Sequence, residues 1–192
     1  MYGGSVISIS TTERASCLLK SSNGLTLSVS GQTGAFSSIE DYTLVGDKLD
    51  IVRAVLKWYE VQPETANLHV EVSTEIPMQA GMAGSTAIVV ALVGAISKWL
   101  NISANPYEIA ETARKIENQI MGVVCGFQDQ HMAAFGGMNY MDFAGKQSLE
   151  QLDSEPLGTI EPLQNLATAP TLVAAHTGVS HHSGTVHTSP RE

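Results

Sequence analysis

The chain has 192 residues, of which 43% are hydrophobic and 15% are charged. This composition suits one or two packed domains and excludes a disordered, collagen-like or coiled-coil protein. Nineteen acidic against ten basic side chains give a formal net charge of −9. Because nucleic acids attract clustered cations, this balance predicts no nucleic-acid partner.

No apolar run approaches the roughly twenty residues that cross a bilayer, so we expect no membrane partner. The two cysteines, Cys17 and Cys125, lack any CxxC or zinc-ligand spacing. Two cysteines that lie far apart without such a motif are typical of reduced thiols, which predicts a cytoplasmic protein. Since no base is identifiable beside Cys125, we expect it to be a small buried filler rather than a nucleophile.

The N-terminal third is predicted to be mostly strands. The first thirty residues contain alternating or β-branched segments, and Asn23-Gly24 supplies the positive φ angles of a tight turn, which predicts an antiparallel meander. From Asp47, hydrophobic residues recur at steps of three or four and predict a helix over about 47–60. Strict alternation over 68–73 predicts a half-buried strand.

Three further helices are predicted in the second half. An almost wholly apolar segment over about 84–100 must lie inside the domain. Asn105-Pro106-Tyr107-Glu108 places an N-cap amide, a proline at the first helical position and an acid at the third, which predicts a helix to about Gln119. A short helix over about 128–134 and strands after it complete the pattern, the last at 170–177. Strands and helices mixed without a regular period predict an α+β fold with a mixed or antiparallel sheet.

The segment 77–87 places glycines and small residues directly before the apolar helix. Backbone N–H groups at such a helix start can converge on an anion without obstruction from side chains. The alternative is a glycine-rich turn that only lets the buried helix approach a strand closely. Neither GxxxxGK[ST] nor GxGxxG occurs in the chain, so the two best-known phosphate loops are excluded.

This segment, P-M-Q-A-G-M-A-G-S-T-A, resembles the signature P-x-x-x-G-L-G-S-S-A of the GHMP kinases (galactokinase and the homoserine, mevalonate and phosphomevalonate kinases). The departures, Met82, Ala83, Gly84 and Thr86, are small or conservative. The resemblance implies that Ser85 ligates Mg²⁺ and that ATP binds along the loop. The implied ATP-binding residues are Pro77, Gly81, Met82, Ala83, Gly84, Ser85 and Thr86.

A second segment, 117–143, is similar to the family's stretch from a helix-borne glutamate to an aspartate and then to Gly-Gly. The alignment implies that Glu117 is the second Mg²⁺ ligand and that Asp129 is the base facing the acceptor hydroxyl. Without the alignment, Glu117 is a solvated boundary residue and Asp129 the N-cap of the short helix. The implied acceptor-binding residues are Tyr2, Gly3, Gly4, Gly136 and Gly137.

The resemblance implies a fold of the GHMP kinase N-terminal domain type, which is ribosomal protein S5 domain 2-like, over residues 1–170. On this alignment the family's first strand is missing before Tyr2, and 171–192 is the start of a C-terminal domain that is otherwise absent. Because such a chain would expose a strand edge and an inter-domain face, we expect a homo-oligomer or a completing chain.

Within the family, 76–92 and 126–143 look most like glucuronokinase and the heptose-phosphate kinases. This implies an ATP-dependent kinase for a sugar hydroxyl of uronic acid or heptose type. Two alternatives stay open: a catalytically incomplete nucleotide-binding fragment that acts only with a partner chain, and a non-catalytic protein-binding domain.

Overall fold

The computed structural model describes residues 3–146, 156–165, 171–173 and 175. Tyr2 lies outside the described residues, as do most of the segment 171–192 and half of the strand predicted at 170–177, whose described residues 171–173 and 175 are not in a strand. No helix in the described ranges has the length and apolar character needed to span a bilayer.

Four strands form the larger sheet, and their spatial order is not their chain order. The sheet order is β2-β5-β3-β4, with β3 and β5 parallel and the other neighbours antiparallel. The predicted antiparallel meander is therefore wrong, because β5 lies between β2 and β3 and the first strand of the chain belongs to a second sheet. The turn at Gly24, with φ of 84°, still reverses the chain, but its carbonyl accepts from the N–H of Leu68 in β5. The strands are β2 (Ala15–Ser21), β3 (Leu25–Val29), β4 (Gln32–Phe36) and β5 (Leu68–Thr74).

A second, three-stranded antiparallel sheet has the order β1-β6-β7. Its strands are β1 (Ser5–Ile9), β6 (Met138–Asp142) and β7 (Thr159–Pro162). Beyond the end of β1, the backbone N–H of Ser10 donates to the carbonyl of Gly137 over 2.8 Å, and the N–H of Gly137 donates back to Oγ of Ser10. These bonds fasten the Gly-Gly turn before β6 to the end of β1.

The helices agree with the sequence expectations in number and order. They are α1 (Asp50–Trp58), α2 (Gly84–Trp99), α3 (Pro106–Lys115) and α4 (Gln128–Phe135), with a 3₁₀ turn at Ile39–Tyr42. The predicted capping box of α3 is confirmed. Asn105 Oδ1 accepts from the N–H groups of Tyr107 and Glu108, and Glu108 Oε2 accepts from the N–H of Asn105 over 2.7 Å.

Helix α2 is the centre of the fold, as its composition predicts. It packs against β2 and β5 on one side and against α1, α3 and α4 on others. Val89, Leu92, Val93 and Ile96 are completely buried in the main core. α2 thereby packs beside α3, which leads to Glu117, and beside α4, which carries Asp129.

Candidate active site

The loop between β5 and α2 has an unusual backbone. Gln79, Gly81 and Ala83 all have positive φ, at 58°, 74° and 53°. A left-handed conformation costs an ordinary residue about 1–2 kcal/mol, so the loop is strained at Ala83, immediately before α2. The resemblance aligns this position with a glycine, and the structure gives the physical reason for that preference.

The two glycines of the loop have different roles. A Cβ on Gly84 would lie 3.2 Å from Sδ of Met78 and 3.4 Å from Ile76, so the alternative of a close helix-to-strand approach is correct at this position. A Cβ on Gly81 would meet nothing within 4 Å. Gly81 therefore faces open space, and with the N-terminal turn of α2 it leaves room for a ligand.

The first turn of α2 directs two hydroxyl groups in different directions. Ser85, the Mg²⁺ ligand implied by the resemblance, is exposed. Thr86 is buried, and its Oγ1 donates a 2.7 Å hydrogen bond to Oε1 of Glu117. The structure thus brings Thr86 to the glutamate and leaves Ser85 at the surface beside it.

Glu117 lies on a π-helical turn, Ile116–Ile120, that continues α3. The bond from the N–H of Met121 to the carbonyl of Ile116 spans five residues, over 3.0 Å. Such turns occur mostly as local insertions at functional sites. Only 3% of Glu117 is exposed, so its interpretation as a solvated boundary residue is wrong. The helix predicted to about Gln119 is present, but its last turn over these residues is π-helical.

Both carboxylate oxygens of Glu117 have a donor. Oε1 accepts from Thr86, and Oε2 accepts from Nε2 of Gln130 over 2.5 Å. Burial raises the pKa of the Glu117 carboxyl and the nearby charge of Asp129 raises it further, while the bonds from Gln130 and Thr86 oppose the rise. A buried carboxylate with this set of donors is held in one orientation.

Cys125 lies beside this carboxylate. Its Sγ accepts from Nδ2 of Asn118 at 2.9 Å and from Nε2 of Gln130 at 3.2 Å. Burial raises the pKa of the thiol to about 12. A thiol that stays protonated is a poor nucleophile, which agrees with the expected filler role, although the sequence did not reveal its polar contacts.

Asp129 is the second residue of α4 and is exposed. The N-cap of this helix is Phe127, so the alternative that made Asp129 the cap is wrong. A carboxylate in a first helical turn is favoured by the helix dipole. Asp129 directly precedes Gln130, which bonds Glu117, and its charge contributes to the raised pKa of Glu117, so the two predicted carboxylates lie near each other.

A cleft of about 720 Å³ joins the loop to α4. Its volume is in the range of small-molecule sites. It brings together Gly81, Met82, Ala83, Asp129 and Gly136 from the predicted set. Among the described lining residues, Arg14 is the one cation. The other walls are formed by β1 and the connection from β1 to β2, and by one side of α2.

Pro77, Gly3, Gly4 and Gly137 are predicted residues that do not line this cleft. Pro77 is half-buried in the loop, with its carbonyl next to Gly84. Gly3 and Gly4 are at the other end of β1: a Cβ on Gly3 would collide with the carbonyl of Phe143, and the carbonyl of Gly4 accepts from the N–H of Phe143. Gly137 is bonded to Ser10 as described above.

The sequence did not reveal the hydrogen bond between Gln130 and Glu117. Gln130 directly follows Asp129, and its partner Glu117 is 13 residues earlier. The missed signal is a glutamine placed one residue beyond a candidate acid. On the first turn of α4, position 129 is exposed and position 130 is buried. Asp129 therefore lines the cleft, while Gln130 contacts Glu117 in the interior.

Residues 49–137 match the family model of the GHMP kinases N terminal domain. The chain carries a GHMP kinase N-terminal domain. It is 33% identical over 149 residues to a D-glycero-alpha-D-manno-heptose 7-phosphate kinase of Campylobacter jejuni, covering 74% of this chain and 43% of the relative. It is 35% identical over 92 residues to a galactokinase of Thermotoga petrophila, covering 48% and 25%.

Solved GHMP kinase structures share the fold. The crystal structure of a D-glycero-D-manno-heptose 1-phosphate kinase from Bacteroides thetaiotaomicron superposes with a TM-score of 0.66 at 24% identity, covering 84% of this chain and 51% of that one. The Methanococcus jannaschii mevalonate kinase gives 0.61 at 15% identity, covering 78% and 50%. The chain spans less than half the length of these two curated relatives and about half of the two solved chains.

Proposed function

We propose that this chain forms the nucleotide-binding and acceptor-facing part of an ATP-dependent GHMP kinase that phosphorylates a sugar hydroxyl of uronic acid or heptose type. Supporting this, relatives of the domain include a heptose 7-phosphate kinase and galactokinases. The cleft also joins the family's glycine-rich loop to an exposed carboxylate at Asp129.

The proposed nucleotide site is the loop 81–86 with the start of α2. The first N–H groups of a helix have no partner within the helix, and the helix dipole adds partial positive charge there. Both features favour phosphate oxygens at Gly84 and Ser85. Because Gly81 carries no side chain and faces open space, a polyphosphate can approach the backbone closely there.

The oxygen donors at this site suit Mg²⁺. Ser85 and Glu117 would hold the ion, whose bound charge would offset that of the phosphates. Within the described residues, no three His, Cys, Asp or Glu side chains cluster into a metal site. That fits an ion held by one carboxylate, a hydroxyl, the nucleotide and water, which is how Mg²⁺ is commonly bound in kinases. The hydrogen bonds from Thr86 and Gln130 orient the Glu117 carboxylate.

Asp129 would orient the acceptor hydroxyl and accept its proton. Its carboxylate is exposed at the cleft and lies close enough to Glu117 to affect that residue's pKa. This proximity of two carboxylates from separate helices, next to the glycine-rich loop, is the observation that carries the proposal. On this proposal, proton acceptance by Asp129 takes place beside the loop that binds the phosphates.

The test is phosphoryl transfer by the purified 192-residue chain to a panel of uronic acids, heptoses, heptose phosphates and galactose. Sugar phosphate is detected by phosphorus NMR and ADP by a coupled assay. New sugar phosphate from wild type but not from the Asp129→Asn variant supports the proposal. ATP consumption that is equal in both proteins would count against Asp129 as the base.

The second candidate is a nucleotide-binding fragment that acts only with a completing chain or a second copy. Ile7 and Ile9 on the edge strand β1 are 65% and 42% exposed, which suits a covering surface. This candidate predicts saturable ATP binding that depends on Ser85, without transfer to any sugar.

We also infer a cytoplasmic location for this protein. Its support is the pair of cysteines, both of which are free thiols.

A further inference from the structure

Gln130 occupies a position that neither nucleotide nor acceptor can reach directly. Only 1% of the residue is exposed, and its amide is turned toward the interior, away from the cleft that Asp129 lines. Its Nε2 donates to Oε2 of Glu117 over 2.5 Å and contacts Sγ of Cys125 at 3.2 Å. A polar side chain this deeply buried costs stability unless its groups are satisfied.

Among the partners that the structure describes for the Gln130 amide, the carboxylate of Glu117 is the one strong acceptor, and it sets the orientation of the amide. Within the described residues, Oε1 of Gln130 has no hydrogen-bond partner. Leaving one amide atom unsatisfied is unfavourable, so the bond from the other atom to a carboxylate must offset that cost. Bonds to charged acceptors are the stronger class, which favours this assignment of Nε2 toward Glu117.

The hydrogen bonds to Glu117 leave one coordination site open. Each carboxylate oxygen has two lone pairs. Thr86 uses one on Oε1 and Gln130 uses one on Oε2, from opposite ends of the carboxylate. The thiol of Cys125 is a third partner of this carboxylate. Three donors therefore fix its orientation and leave one of its four lone pairs to ligate a cation.

We infer that Gln130 is a positioning residue that fixes the Glu117 carboxylate for the divalent cation and links it to Asp129. This inference rests on the proposed function, in which Glu117 ligates Mg²⁺. Because Gln130 and Asp129 are adjacent on α4, the bond from Gln130 joins the first turn of α4 to the π-helical turn. Any shift of that turn relative to α4 would change the separation of the metal-binding and proton-accepting carboxylates.

The test measures cation binding directly, with Mn²⁺ as the probe for Mg²⁺. The 192-residue chain is titrated with Mn²⁺ in the presence of ATP, and bound Mn²⁺ is followed by electron paramagnetic resonance. Removing an outer partner of a metal ligand costs about 10- to 100-fold in metal affinity, so the Gln130→Met variant should lose that much. Affinity for ATP without a metal should stay near wild type, and circular dichroism should still show a folded protein, although the thermal midpoint falls because the buried carboxylate loses a donor. A general loss of structure would not allow this combination.

Two variants control for packing. Gln130→Asn keeps an amide but is one methylene shorter, so it cannot reach Glu117 and should lose affinity as Gln130→Met does. Gln119 is an exposed glutamine on the same π-helical turn. The Gln119→Met variant makes the same chemical change away from the carboxylate and should bind Mn²⁺ like wild type.

A double-mutant cycle with Glu117→Gln separates the two proposals. If Gln130 acts through Glu117, adding Gln130→Met to Glu117→Gln produces no further loss. Wild-type Mn²⁺ affinity in both Gln130 variants, with a loss in Glu117→Gln, would overturn the role of Gln130 and leave the proposed function standing. Undiminished Mn²⁺ binding in Glu117→Gln would overturn the metal-ligand assignment itself, and this inference with it.

Discussion

Thr86 and Glu117 are joined by a buried hydrogen bond of 2.7 Å that connects the start of α2 to the π-helical turn. The bond runs from a neutral hydroxyl to a carboxylate that is almost fully removed from water. It connects the nucleotide loop with a candidate metal ligand without involving the exposed Ser85. The contributions of these two neighbouring hydroxyl groups to stability can therefore be compared by changing them one at a time.

Replacing Thr86 with valine should destabilise the fold by about 1–3 kcal/mol, because the shape is kept while a buried carboxylate loses a donor. Urea unfolding measures the change. The matched variant is Ser85→Ala, which removes an exposed hydroxyl one residue earlier and should alter the free energy of unfolding by less than about 0.5 kcal/mol. Ser85→Ala should weaken MgATP binding instead. Equal stability losses in the two variants would contradict the structural difference between these hydroxyls.

Asp129→Asn should lower the turnover number by about 10²- to 10⁴-fold, since the amide cannot accept the hydroxyl proton. The KM for ATP should change little, because Asp129 lies on the acceptor side of the proposal. Initial rates with saturating sugar measure both quantities. Glu13→Gln removes another carboxylate that lines the same cleft and serves as the control. A comparable fall in turnover for Glu13→Gln would indicate a general charge effect.

The buried Glu117 should make the protein less stable as pH rises above the ordinary glutamate pKa of 4.5. Its pKa is raised in the folded state, so over this window the folded protein binds more protons than the unfolded chain does. Stability then falls with increasing pH until the folded-state pKa is passed. The Glu117→Gln variant should lack this decline. Urea unfolding at a series of pH values from 4.5 upward measures it.

Glu71 provides a control of opposite sign for that experiment. Its pKa is lowered by the hydrogen bond and charge of Lys20 at the surface. A lowered pKa contributes stability that is lost as pH falls, so Glu71→Gln should flatten the acid side of the profile only slightly, since the pair is exposed. If Glu117→Gln changed the profile in the same direction as Glu71→Gln, the burial effect at Glu117 would be refuted.

Ala83→Gly should stabilise the protein by about 0.5–1 kcal/mol, because glycine adopts the left-handed backbone without the Cβ penalty, less its own entropy cost. Thermal unfolding provides the measurement. Ala80 is in the same loop and is not among the residues with positive φ. Ala80→Gly should therefore be neutral or destabilising. A stability loss in Ala83→Gly would mean that the loop is not strained at this residue.

Local sequence signals predicted the helices well. The cap at Asn105 and the apolar run of α2 are determined by residues close in the chain, and both were confirmed. The sheet order could not be predicted in this way. The parallel pairing of β3 with β5 joins Leu27 to Val70, and intervening turns do not specify it.

The sequence predicted several residues of the candidate site but not the hydrogen bonds between them. The resemblance pointed to Glu117 and Asp129, and the cleft places Asp129 beside the loop. It did not reveal that Thr86, rather than Ser85, faces Glu117. Adjacent helical residues point about 100° apart, and which one turns inward depends on how α3 packs against α2. The partnership with Gln130 likewise depends on the packing of α4, which no local pattern encodes.

The π-helical turn at Ile116–Ile120 makes the site sensitive to chain length at one position. Such a turn is equivalent to one extra residue within an α-helix. Deleting a residue just after Glu117 would let the helix close with ordinary hydrogen bonds and rotate everything downstream by about 100°. Cys125 and the start of α4 would then approach Glu117 from the wrong side. A shortened homologue at this point would need a different way to align its two acids.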